Sequence, residues 1–125
     1  MPPRTRAPGL LVTVLLGVLL AAGCGGGATA HAPRRFTLVL DDFLIRPQRV
    51  QVPAGRLTLT VVNRGRIGHN LRIELGHHTV FSVLTLKPGA HATRSLRLRP
   101  GSYRMLCSVP QHEILGQYGT LVANR

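Results

Sequence analysis

CSVPQHEILGQYG, residues Cys107 to Gly119, carries a thiol, an imidazole and an amide at even intervals: His112 follows Cys107 by five positions, and Gln117 follows His112 by five. SYRML (Ser102–Leu106) precedes it, behind the turn pair Pro100-Gly101, and YGTLVAN (Tyr118–Asn124) follows it. Both flanks read as short strands, so the three polar groups share one loop near the end of the chain, with Gln117 closing it.

Outward from this loop, nearly every segment reads as strand. FTLVL (Phe36–Leu40) is apolar and is followed by Asp41 and Asp42 as a turn. RVQV (Arg49–Val52), RLTLTVVN (Arg56–Asn63), NLRIEL (Asn70–Leu75) and ATRSLRLR (Ala92–Arg99) alternate; TVFSVLTL (Thr79–Leu86) is mostly apolar. Leu57, Leu59 and Val61 fall on one face, and Leu71, Ile73 and Leu75 are expected on a buried side. The turns are PAG (Pro53–Gly55), NRG (Asn63–Gly65) and KPG (Lys87–Gly89). No helical period emerges after residue 34, and no internal repeat. Seven or eight short strands parted by Gly and Pro turns predict an all-β domain, an antiparallel sandwich or barrel.

The start of the chain reads differently. Arg4 and Arg6 precede LLVTVLLGVLLAA (Leu10–Ala22), an apolar run too short to span a bilayer comfortably and fitting a signal-peptide core. LLAAGCGGG, around Cys24, resembles the lipobox of bacterial lipoproteins, which implies lipidation of Cys24 as the first mature residue. The alternative is ordinary cleavage after a small residue, with Cys24 an incidental thiol. GGGATAHAP (Gly25–Pro33) reads as a flexible tether. The expected organisation is therefore a signal peptide over 1–23, a tether over 24–33 and one folded domain over 34–125.

The sequence has only two cysteines. If Cys24 carries lipid, Cys107 is left single in an exported chain, where disulfides are the usual use of cysteine. A buried spectator thiol is the bland explanation. Charge is the other strong feature: sixteen Lys and Arg face four Asp and Glu, for a formal net charge of +12. Such a surface favours an acidic partner protein or anionic lipid. Export, and the scarcity of aromatic residues for base stacking, argue against nucleic acid.

GHN (Gly68–Asn70) opens a strand well before the late loop. A sandwich gathers its loops at its ends and can bring the two together. One thiolate, two imidazoles and one amide oxygen then meet, which is the ligand set of a type 1, or blue, copper site: two histidines and a cysteine in a plane with a weak axial ligand.

DDFLIRPQRVQVPAGRLTLTVVNRGRIGHNLRIEL and LKPGAHATRSLRLRPGSYRMLCSVPQHEILGQYGTLVA resemble the two halves of a small cupredoxin, and the similarity spans essentially all of Phe36 to Ala123. The resemblance implies a Greek-key β-sandwich binding one copper ion through His69, Cys107 and His112, with Gln117 in the axial position. Most relatives of this type carry methionine there; Cys-x4-His-x4-Gln resembles the stellacyanin branch, in which glutamine is axial. Gln111 stands where many relatives have glycine. Asn70 resembles the family asparagine that ties the two ligand loops together, and Ser108 is expected to support the ligands beside it. His112 is usually the ligand nearest solvent in this fold, and Val109, Pro110, Ile114 and Leu115 flank it as a candidate docking patch. Alternatively, Ile114 and Leu115 pack beneath the loop.

The reading that follows is a monomeric electron carrier, not an enzyme, cycling between Cu(I) and Cu(II) at the outer face of the bacterial cytoplasmic membrane and exchanging electrons with an acidic redox protein. A copper chaperone or scavenger delivering the ion to a membrane oxidase would use the same ligands, but only Met1 and Met105 occur, where methionine-rich stretches would favour that role. A metal-free structural sandwich leaves the ligand spacing unexplained. Length and the lack of His-x-His pairs exclude a multicopper oxidase, and a binuclear centre needs a second cysteine in the late loop. His31, His77, His78 and His91 fit no ligand position, although His77 and His78 together offer a weak second metal site. The acids Asp41, Asp42, Glu74 and Glu113 are too scattered to form a hydrolytic carboxylate pair.

Overall fold

A computed structural model describes residues 28–125; the expected signal segment 1–23, the expected lipidation position Cys24 and the first residues of the expected tether lie outside the described residues. Ten strands follow one another: β1 (Ala30–His31), β2 (Arg35–Asp41), β3 (Leu44–Arg46), β4 (Arg49–Pro53), β5 (Gly55–Asn63), β6 (His69–Leu75), β7 (His78–Leu86), β8 (His91–Leu98), β9 (Gly101–Leu106) and β10 (Tyr118–Asn124). They build two facing sheets, one in the order β1-β4-β10-β9-β6-β7 and the other β3-β2-β5-β8. There is no helix among the described residues.

The sandwich forms because the alternating strands each offer one apolar face that must leave water. Leu57, Leu59 and Val61 of β5 face Leu71 and Ile73 of β6 and Met105 of β9 across the interior, and all six are fully buried. Each is worth roughly 1.5–3 kcal/mol relative to exposure. Leu38 and Leu40 of β2, Val50 and Val52 of β4, and Leu121 of β10 complete the centre of the same cluster.

Three differences from the sequence reading have physical causes. The sheets are mixed, not purely antiparallel: β2 runs parallel to β5, and β4 runs parallel to both β1 and β10. Each parallel pair joins strands separated by an excursion into the opposite sheet. Two strands beyond the expected eight, β1 and β3, have two and three residues, too few to show alternation. β1 lies inside the stretch read as tether, so regular structure begins before Arg34; Ala32 N–H donates to Gln51 O at 2.8 Å, using the open edge of β4. Finally, Leu75 is not on the buried side: at the end of β6 it projects past the core and is 42% exposed.

Candidate metal centre

Strand register brings the site together. β9 and β10 pair Leu106 with Tyr118, and the next step outward sets Cys107 opposite Gln117, where Cys107 N–H donates to Gln117 O at 3.0 Å. The loop between them winds through a string of turns: His112 N–H donates to Val109 O at 3.1 Å and Gln117 N–H to His112 O at 3.0 Å. That winding points His112 back at Cys107. Gln111 takes the left-handed backbone, φ 68°, which glycine adopts without a side-chain penalty.

β6 and β9 pair Arg72 with Leu106, so the same register carries Asn70 to Ser108. Asn70 Oδ1 accepts from Ser108 N–H at 2.7 Å, Asn70 Nδ2 donates to Ser108 Oγ at 3.1 Å, and Asn70 N–H points at Cys107 Sγ at 3.4 Å. The start of β6 is thus fastened to the end of β9, and His69 is held over Cys107.

Four donor atoms converge at this end of the sandwich. His69 Nδ1 and His112 Nδ1 are 3.1 Å apart, Cys107 Sγ is 3.6 Å from His112 Nδ1, and Gln117 Oε1 is 3.1 Å from it. The His69, Cys107 and His112 donors all lie within 4.8 Å of one another. His69 is fully buried and His112 is 7% exposed. Gln117 is buried too, and its Nε2 donates to Asp41 O at 2.8 Å, which turns Oε1 toward the other donors.

The donor set discriminates among metals. A structural zinc site would close a tetrahedron of cysteine and histidine. Here one thiolate and two imidazoles are joined by a single weak amide oxygen, which is the pattern of a type 1 copper centre. The chain fits one copper ion at this point. His77 and His78, at the β6–β7 turn, join no metal-binding group among the described residues.

A cupredoxin-like domain model matches residues 11–123. The chain belongs to the cupredoxin-like family. Solved cupredoxins share its fold at low identity. Auracyanin from the photosynthetic bacterium Roseiflexus castenholzii superposes with a TM-score of 0.67 at 19% identity, covering 80% of this chain and all of the other. Auracyanin A, a "blue" copper protein from Chloroflexus aurantiacus, gives 0.65 at 16% identity over 74% of this chain and 100% of its own. Reduced rusticyanin gives 0.63 at 17%, covering 82% and 89%. No curated protein sequence matches the chain.

Several residues that shape this cupredoxin site were given no part in it by the sequence reading. Asp42, in the two-residue turn between β2 and β3, has its Oδ1 3.2 Å from His69 Nε2. A carboxylate can only accept, so the contact suits the ring form protonated at Nε2, in which Nδ1 is open to a metal. The Arg66 side chain, then the Arg66 backbone N–H, then His69 hold the Asp42 carboxyl at about 2, below its usual 3.8. Asn63 is buried at the end of β5; its Nδ2 donates to Ile67 O and Leu86 O, both at 2.8 Å, and its Oδ1 accepts from Gly65 N–H at 2.8 Å. It shapes the loop that delivers His69. Phe43, also left-handed at φ 59°, sets its ring edge-on to His112 with centroids 5.3 Å apart. The sequence signal was present as the pair Asp41-Asp42 followed by an aromatic, but nothing in the spacing tied it to His69.

The candidate docking residues lie on the loop around His112. Ile114 is 88% exposed and Leu115 57%, so neither packs beneath the loop; Pro110 is exposed and Val109 half-buried.

Proposed function

We propose that this cupredoxin is a single-copper electron carrier in which His69, Cys107 and His112 hold the ion and Gln117 is the axial ligand. The observation that carries this reading is the convergence of the three donors within 4.8 Å, with a fourth, amide-oxygen donor aimed at the same point. When bound, copper supplies a one-electron couple between Cu(I) and Cu(II). The chain's part is to keep the donors still while the charge changes. Cys107 is a soft donor whose sulfur is steadied by the Asn70 N–H. Asn70 and Ser108 lock the two ligand-bearing strands together, and the Asp41 carbonyl holds the Gln117 amide. Burial of His69 and Gln117 excludes water that would otherwise have to reorganise.

His112 is the less buried imidazole, and we assign the surrounding Val109, Pro110, Ile114 and Leu115 as the docking face for a redox protein. Fourteen of the sixteen basic residues lie after Cys24. That surplus favours an acidic partner and steers its approach. The protein acts as a monomer, carried to the outer face of the bacterial cytoplasmic membrane by its signal peptide and held there by lipid on Cys24. The chaperone reading is disfavoured by burial: Met105 is fully inside the core, and the donors present almost no surface from which an ion is handed over.

Voltammetry of the copper-loaded protein tests the carrier reading. One copper per chain and a reversible one-electron wave are expected; loss of the ion on each reduction would favour delivery instead. Membrane fractionation tests the anchor: Cys24→Ala should release the protein, and an unmodified mature N-terminus by mass spectrometry would remove the anchor from this account.

A further inference from the structure

The least expected contact at the site is the one between Asp42 and the buried histidine. β2 and β5 run parallel with Leu40 opposite Asn63, and Arg64 N–H and Gly65 N–H both reach back to Leu40 O at 2.8 and 3.3 Å. The two strands therefore run out side by side, and Asp42 arrives next to Gly65. A Cβ on Gly65 would stand 2.6 Å from His69 Nε2 and would also collide with Asp42 Oδ1. Only a residue without a side chain lets the loop close over this pair. Arg66 then completes the clasp: its backbone N–H donates to Asp42 Oδ1 at 2.8 Å and its Nε to Oδ2 at 3.0 Å.

We propose that Asp42 is a positioning and tuning residue of the copper centre, holding His69 in the Nε2-protonated form and biasing the bound ion toward Cu(II) with its negative charge. The inference rests on the copper reading above. A carboxylate hydrogen-bonded to a ligating imidazole makes that ring a stronger donor and fixes its orientation. His69 is fully buried, so the charge acts on it through little water. The Arg66 side chain is 92% exposed, so solvent screens its opposing charge. The carboxylate is not cancelled. It adds to the preference for Cu(II) that the hard Gln117 oxygen gives, so two separate features push the potential the same way.

Three variants of the full chain separate charge, hydrogen bond and loop closure. Asp42→Asn keeps an acceptor of the same shape and removes the charge. It should keep the visible band and lower the ratio of Cu(II) to Cu(I) affinity roughly tenfold, which raises the potential by about 59 mV. Arg66→Ala removes the opposing charge and should shift the potential the other way, by less. Gly65→Ala should behave as Asp42→Asn does and additionally weaken copper binding, since it forces the pair apart. In parallel, nitrogen-15 NMR of the metal-free chain, above the usual histidine titration range, reads the His69 ring directly. The Nε2-protonated tautomer is expected in wild type and its loss in Asp42→Ala.

An unchanged or lowered potential in Asp42→Asn overturns the tuning role. An Nδ1-protonated His69 in the metal-free wild type overturns the positioning role whether or not copper binds. A wild type that binds copper without a charge-transfer band overturns the type 1 reading instead, so the two failures are distinct.

Discussion

The two imidazoles of this site live in different surroundings. His69 opens a strand: the core lies behind it, Asn70 is bonded to Ser108 on one side, and Asp42, Asn63 and Gly65 close over the other. His112 hangs in a loop whose neighbours, Ile114 and Leu115, stand in solvent. One half of the centre is built like a core and the other like a binding surface. The proposed carrier role would use both. Rigid donors keep the structural change on electron transfer small, and a thin, apolar cover over one ligand lets a partner come close.

If that division is real, substitutions on the two sides should fail in different ways. Leu71→Ala, two residues into β6 from His69, removes a fully buried side chain. It should cost about 2–5 kcal/mol of stability, read as a lower denaturation midpoint. Ile114→Ala on the other side should change stability by no more than about 0.5 kcal/mol. Equal losses on the two sides would mean that both halves of the centre are built alike.

Gln117 sits at the seam, fastened to the His69 side through Asp41 and facing His112. An amide oxygen is a harder donor than a thioether, so Gln117→Met should raise the potential by at least about 59 mV, or roughly 1.4 kcal/mol, while the chromophore survives. Voltammetry of the two proteins in one buffer decides it, and an unchanged or lower potential would mean that Gln117 does not coordinate.

Replacing Ile114 and Leu115 together by serine should slow electron exchange with a partner severalfold, equivalent to about 1 kcal/mol, and leave the spectrum and the potential untouched. A moved potential would show that these side chains belong to the site and not to its cover. Salt should act on the encounter and not on the site. The encounter rate with an acidic redox protein should fall steeply as ionic strength rises, because exposed charges are screened over about 10 Å at 0.1 M. A rate indifferent to salt would assign the arginines to something other than steering.

Legibility in the sequence followed the same division. The alternation in Arg56–Asn63 and Asn70–Leu75 was enough for the sandwich, because inward and outward residues differ in polarity along a strand. Cys107, His112 and Gln117 were legible because one loop carries all three at fixed spacing, and His69 because a strand begins at it. The clasp around His69 was not legible. Asp42 and Gly65 meet only through the parallel pairing of β2 with β5, and nothing local in either segment encodes that partner. Asp41-Asp42 looked like a solvated turn, and NRG like another. The mixed sheets were missed for the same reason: alternation reports which face is buried and is silent on strand direction. The misplacement of Leu75 shows a related limit, since alternation does not reveal where the opposite sheet ends.

Visible absorption decides whether Cys107 binds copper as one donor of a type 1 centre. Metal-free protein titrated with Cu(II) should develop an intense cysteinate-to-copper charge-transfer band that saturates at one ion per chain, and Cys107→Ser should lose the band. A colourless copper complex of the wild type, or a band that persists in Cys107→Ser, would mean that the centre is not a type 1 site built on Cys107.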